Sequence, residues 1–154
     1  MTNLSFQELC NSIADEVERC LPEILRNPDD FNIAQGNCVL CIMNAEGETS
    51  MRMYGGTNRP RQREAAMVAH KKALQVWLTG RATGYFETLV YAGKLDDEQF
   101  GISRPEFIGW LGGVEAKQAD GSRLVLAFSG VRGEQDVGVL RMAAQNLKTF
   151  SIVE

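Results

Sequence analysis

The spacing of apolar and polar positions divides the chain into helical and extended stretches. Phe6, Leu9, Ile13, Val17, Cys20 and Ile24 keep helical spacing along one face. Ser5 opens that helix with a capping box, because Glu8 stands three residues on, and Leu4 and Leu9 are placed for a hydrophobic staple. Pro22 either ends the helix near Leu21 or bends it, and Asn27 to Asn37 reads as a loop. Cys38–Met43 and Thr49–Tyr54 then flank Asn44-Ala-Glu-Gly-Glu48, which predicts a hairpin with Gly47 in its turn. Asn58 and Pro60 open a second helix that runs through Trp77 to a stop at Gly80. Thr83 is placed to cap a shorter helix ending near Ala92. Phe107–Leu111, Val114–Gln118 and Arg123–Ser129 read as three more strands, and Val137, Leu140, Ala144 and Leu147 as the stripe of a closing helix. Hairpin-type links favour an antiparallel sheet covered by helices, an α+β fold.

Length changes this picture little: 154 residues suit one domain over 1–154, large enough to need no metal or disulfide staple. Charge excludes more. Sixteen Lys and Arg against twenty Asp and Glu give a net charge of −4, which argues against general nucleic-acid affinity. No apolar run reaches the length of a membrane span, and Asp15, Glu16 and Glu18 interrupt the N-terminal apolar residues, unlike a signal peptide. The expectation is a cytoplasmic protein whose four cysteines stay reduced. Cys38-Val-Leu-Cys41 has the spacing of a redox or zinc motif, but on a strand residues three apart face opposite ways. Small buried hydrophobes are the better reading.

Candidate chemistry gathers where side chains are missing. Trp110-Leu-Gly-Gly-Val114 and Phe128-Ser-Gly130 flank the Asp120-Gly121 turn, and Glu134-Gln-Asp136 follows just before the closing helix. Gly112, Gly113, Ser129 and Gly130 either present backbone N–H groups to an oxygen-rich ligand or simply allow a tight bend and close helix packing. Asp136 suits a helix-capping acid, with acid/base work as the second reading. Arg52, Arg59, Arg61 and Arg63 gather around the start of the second helix, where the dipole disfavours cations, so an anion or an acidic partner is implied. Of these, Arg52 is the favoured ligand residue, and Arg61 and Arg63 read as solvated. No nucleophile elbow, phosphate loop or dinucleotide fingerprint is present.

Five motifs in order resemble the GlcG/HbpS-like haem-binding or haem-degrading family, which also forms the C-terminal domain of PduO proteins. They are Arg52-Met-Tyr-Gly55, Ala69-His-Lys-Lys-Ala73, Gly80-Arg-Ala-Thr83, Gly112-Gly-Val-Glu115 and Phe128-Ser-Gly130…Gln135-Asp136. The likeness runs from Leu4 to about Leu147. It implies a profilin-like α/β/α sandwich around a five-stranded antiparallel sheet, assembled as a homo-oligomer. It also implies haem as a cofactor or ligand. Departures fall at Asn44, Tyr54, Glu115, Ala127 and Phe128, where added bulk or changed charge would alter a pocket.

Lys72 matches the family lysine and would hold a carboxylate, unless it is simply solvated. His70, the only histidine, is the only imidazole available to haem iron, set against a packing role that weighs more. The first reading of function is an oligomeric protein binding haem or a related carboxylate-bearing small molecule. The alternatives are a small catabolic enzyme moving a proton on an organic acid through Lys72, Glu115 and Asp136, or a ligand-free subunit-interaction protein.

Overall fold

A computed structural model describes residues 4–103, 106 and 108–154. Among them, five strands form one wholly antiparallel sheet in the order β2-β1-β4-β3-β5. The strands are β1 (Cys38–Asn44), β2 (Thr49–Tyr54), β3 (Gly113–Gln118), β4 (Arg123–Ser129) and β5 (Phe150–Ile152). The helices are α1 (Phe6–Ile24), α2 (Pro28–Ala34), α3 (Arg59–Thr79), α4 (Thr83–Tyr91) and α5 (Gly133–Leu147). A 3₁₀ turn, Asp97–Phe100, follows α4.

Strand alternation sorts the core into two sides. Cys38, Leu40, Ile42, Leu124, Leu126 and Phe128 pack with α1 and α5, whereas Val39, Cys41, Met43, Val125 and Ala127 pack with α3. Cys38 and Cys41 therefore lie on opposite faces of the sheet, and all four cysteines are free and buried. The result is the expected α/β/α sandwich. Helix α3 meets the sheet through Ala65, Ala69, Ala73 and Val76, side chains small enough for helix and sheet backbones to approach closely. Its larger apolar residues, Met67, Leu74 and Leu78, point outward.

Most element starts follow the local chemistry. Ser5 and Glu8 form the capping box, Asn58 accepts the Arg61 N–H at 3.1 Å, and Gly80 ends α3 in the left-handed region. Of the two alternatives at Pro22, the helix does not end near Leu21: α1 carries Pro22 internally and continues to Ile24. Three expectations need correction. The stretch from Asn27 holds α2, capped by Asn27 with Pro28 in its first turn. Thr83 does not cap α4; Ala82 stands at that position and the Thr83 hydroxyl is used elsewhere. The strand expected over Phe107–Leu111 does not form across 108–111, and Phe107 lies outside the described residues. The fifth strand is instead β5, which pairs with the outer edge of β3.

Candidate functional site

Where β4 ends and the chain turns into α5, three layers meet. Lys72, on the flank of α3, is only 1% exposed although it is a lysine. Its Nζ donates to the Phe128 carbonyl and to Asp136 Oδ2, each at 2.9 Å. Asp136 is 3% exposed, and its other oxygen accepts the Val131 N–H at 3.2 Å. Burial pulls the Lys72 amine below its ordinary value, opposed by the Asp136 charge. Burial likewise pushes the Asp136 carboxyl up to about 7, with Lys72 working against it. Burial thus disfavours the charged form of each group, and their mutual attraction opposes it.

The glycines make room for this pair. A Cβ on Gly112 (φ +122°) would lie 2.6 Å from the Phe128 oxygen and 2.7 Å from Lys72 Nζ. One on Gly113 would lie 2.8 Å from Thr83 Cγ2 and 3.1 Å from the Lys72 carbonyl. The backbone of both is already engaged: the Gly112 carbonyl accepts the Phe128 N–H and the Gly113 N–H donates to Thr83 Oγ1. Gly112 and Gly113 therefore shape the site from behind, and the Gly113 N–H is already taken by Thr83.

In front of the pair lies an open cavity of about 1040 Å³. Lys72, Ser129, Gly130 and Asp136 contribute to its inner wall. Ile33, Met67, Val68, Ile108, Trp110 and Val131 supply apolar surface around it. Arg63, Met67 and Lys71 stand at i, i+4 and i+8 along α3, so a cation flanks the Met67 thioether on each side. Neither Arg63 nor Lys71 has an ion-pair partner among the described residues. Arg61, also on the wall, is bound to Glu64 and to the Ile33 carbonyl. Arg132 holds the buried Asp30 through two side-chain bonds of 3.0 and 2.9 Å, which ties α2 to the start of α5.

The site residues expected from sequence separate into those the fold brings together and those it does not. Lys72, Gly112, Gly113, Ser129, Gly130 and Asp136 converge. Arg52 does not: it faces α1 from β2 and pairs with Asp15, away from this cavity, whereas Arg63 is exposed on the cavity wall. His70 is exposed and absent from the cavity wall, because two residues of helix turn it about 200° from Lys72. Lys72 itself is committed to Asp136 and is no free anchor for a carboxylate. Asp136 does not cap α5, which has no side-chain cap; its Oδ1 accepts the Val131 N–H ahead of the helix instead. Glu115 is held by Arg123 at 2.5 and 3.0 Å, away from the cavity. Tyr54 and Phe128 lie in the core beside α1, where the Tyr54 hydroxyl donates to the Ala14 carbonyl at 2.8 Å, so their bulk leaves the cavity untouched. Sequence reasoning missed Met67, Lys71 and the wall role of Trp110; the i, i+4, i+8 spacing of Arg63, Met67 and Lys71 was the available signal.

No family model and no curated protein matches this chain. Solved structures do. A PduOC–haem complex superposes with a TM-score of 0.68 at 17% identity, over 99% of this chain and 98% of that one. Klebsiella pneumoniae protein ORFY gives 0.65 at 16%, over 94% and 95%. HbpS gives 0.58 at 17%, over 96% and 92%. The chain has their fold. PduOC and HbpS are of the family expected from the five motifs, and at this identity the likeness shows the shared fold. Among the described residues no helix is long and apolar enough to cross a membrane, and no cluster of three or more His, Cys, Asp or Glu is set to hold a metal ion.

Proposed function

We propose that this chain, read as one domain over 1–154, binds a flat, carboxylate-bearing small molecule of the haem class in the cavity between α3, the 108–111 segment and the start of α5. The observation that carries the reading is the cavity itself. It is roomy at about 1040 Å³, mostly apolar, and lined by Arg63 and Lys71, neither in an ion pair among the described residues, with Glu64 and Glu134 also on the wall. Ligand sites are commonly apolar hollows with a few placed polar groups. Arg63 and Lys71 would receive the acids, and the apolar wall would receive the ring. A solved structure of the same fold is a haem complex, which agrees in ligand class.

Haem fits the residues present. Among those on the wall, Met67 is the neutral soft donor, and a thioether is a known protein ligand for haem iron. His70 would reach iron only from a different site or from another copy. Homo-oligomeric assembly in the cytoplasm belongs to the same reading, supported by the outward apolar residues Leu74 and Leu78 on α3. Titration of haem into the purified protein, followed by its Soret band, tests the reading. A saturable shift that Met67→Leu alters in shape and His70→Ala leaves alone is the expected outcome.

The Lys72–Asp136 pair favours a second reading, proton transfer on a bound organic acid, because it reaches the cavity wall with a carboxyl near neutrality. Glu115 drops out of that scheme. Turnover of an identified substrate that survives Lys72→Met would remove it.

A further inference from the structure

We propose that Trp110 is the stacking platform of this cavity and selects for planar, π-conjugated ligands. The inference rests on reading the cavity as a binding site. Trp110 is 67% exposed, the most exposed large apolar residue among those described, and it stands on the cavity wall. An indole left in water on a loose segment would fold against the nearest apolar surface. This segment is not loose. The Gln75 side chain grips Ile108 from both sides, accepting its N–H at 2.6 Å and donating to its carbonyl at 2.9 Å. The Thr83 hydroxyl donates to the Trp110 carbonyl at 2.6 Å, and Phe128 N–H holds the Gly112 carbonyl at 2.9 Å.

Sterics lock the same stretch. A Cβ on Gly84 would fall 2.3 Å from the Leu111 side chain, and one on Gly133 would fall 3.1 Å from it. Leu111 is therefore seated between two glycines, and the neighbouring indole is presented outward by a backbone fixed at alternate residues. The indole is held by no hydrogen bond of its own among the described residues, so its placement comes from the backbone contacts of the segment. A fixed aromatic face loses little freedom when a flat ring stacks on it. Charge narrows the class of occupant. Arg63 and Lys71 on α3 belong to the same cavity, so the ring that suits Trp110 is one that also carries carboxylates. The other tryptophan, Trp77, is half-buried, donates to the Ala45 carbonyl at 3.2 Å and lies outside the cavity wall.

The test compares haem affinity by Soret titration for the full chain, Trp110→Phe and Trp110→Leu, with Trp77→Phe as control and light scattering on each sample. Phe keeps a stacking face and should stay within about three-fold of the parent; Leu keeps apolar bulk only and should weaken binding by about three- to ten-fold. Equal affinity in the Leu variant overturns the platform while leaving the cavity reading intact. Equal affinity with a smaller assembled mass identifies Trp110 as a contact between copies and overturns the proposal. Absence of saturable haem binding by the parent chain removes the cavity reading and the platform together.

Discussion

Lys72 and Asp136 are bonded to each other at 2.9 Å in a place where burial disfavours the charged form of each. Removing one partner of such a buried pair leaves an unmatched polar group, at a cost of about 3–5 kcal/mol, while replacing both can be nearly neutral. Chemical denaturation should therefore find Lys72→Met and Asp136→Leu each strongly destabilised, and Lys72→Met/Asp136→Leu less so than the sum of the singles. The pH dependence has a definite sign. The folded carboxyl of Asp136 titrates at about 7 against 3.8 ordinarily, so its contribution is complete below about pH 4 and is lost as pH rises through 7. Relative to Asp136→Asn, the parent chain should gain stability as pH falls from 7.5 to 4. Asp30 works in the opposite sense, since its hydrogen bonds from Arg132 lower its carboxyl and its contribution fades as pH falls. Measuring the difference between parent and variant cancels the Asp30 contribution and reports the Lys72–Asp136 pair. Sequence placed Lys72 beside the glycines correctly through its motif. It did not reveal that the amine turns inward, because a lysine at that helical position is equally able to lie along the surface.

Among the elements, α3 decides where the cavity opens. Its alanine face sets a close approach to the sheet, so larger side chains there should fail: Ala69→Leu is expected to lose about 1–3 kcal/mol in denaturant unfolding. Gly112→Ala should lose at least as much, because its φ of +122° is strained for alanine and its Cβ would meet the Phe128 carbonyl and Lys72. The buried cysteines report on both sheet faces. Burial pushes Cys10 up to about 11 and Cys38 and Cys41 up to about 12, so at pH 8 alkylating reagent should label the native chain slowly and all four thiols rapidly after denaturation. Long periodic elements were legible in the sequence. Short ones were not: α2 has seven residues, with its Asn27-Pro28 start visible but no sustained stripe, and β5 has three. The apolar 107–111 stretch imitates a strand because Ile108, Trp110 and Leu111 are apolar. Its described part instead lies over the end of α3 and α4, held by Gln75 and Thr83.

Across the whole molecule, charge is unevenly placed. The chain carries −4 overall, yet on the α3 wall of the cavity Arg63 and Lys71 have no ion-pair partner among the described residues, while Glu64 is taken by Arg61. Net charge identified the class of partner to exclude but not the local field, which only the fold assembles from residues eight apart. Because those side chains stand at the rim, attraction for an acidic ligand should weaken with added salt. Haem affinity should accordingly fall between 0.05 and 0.5 M salt, in concentrations chosen to span that screening range from roughly 14 to 4 Å. The most direct measurement is a Soret titration of the parent chain beside Arg63→Glu/Lys71→Glu, a double reversal at two exposed positions that leaves the Lys72–Asp136 pair in place. The account predicts saturable binding by the parent and at least a ten-fold weaker affinity in the reversed variant. Parent and variant binding equally well, or neither showing a saturable shift, would contradict it.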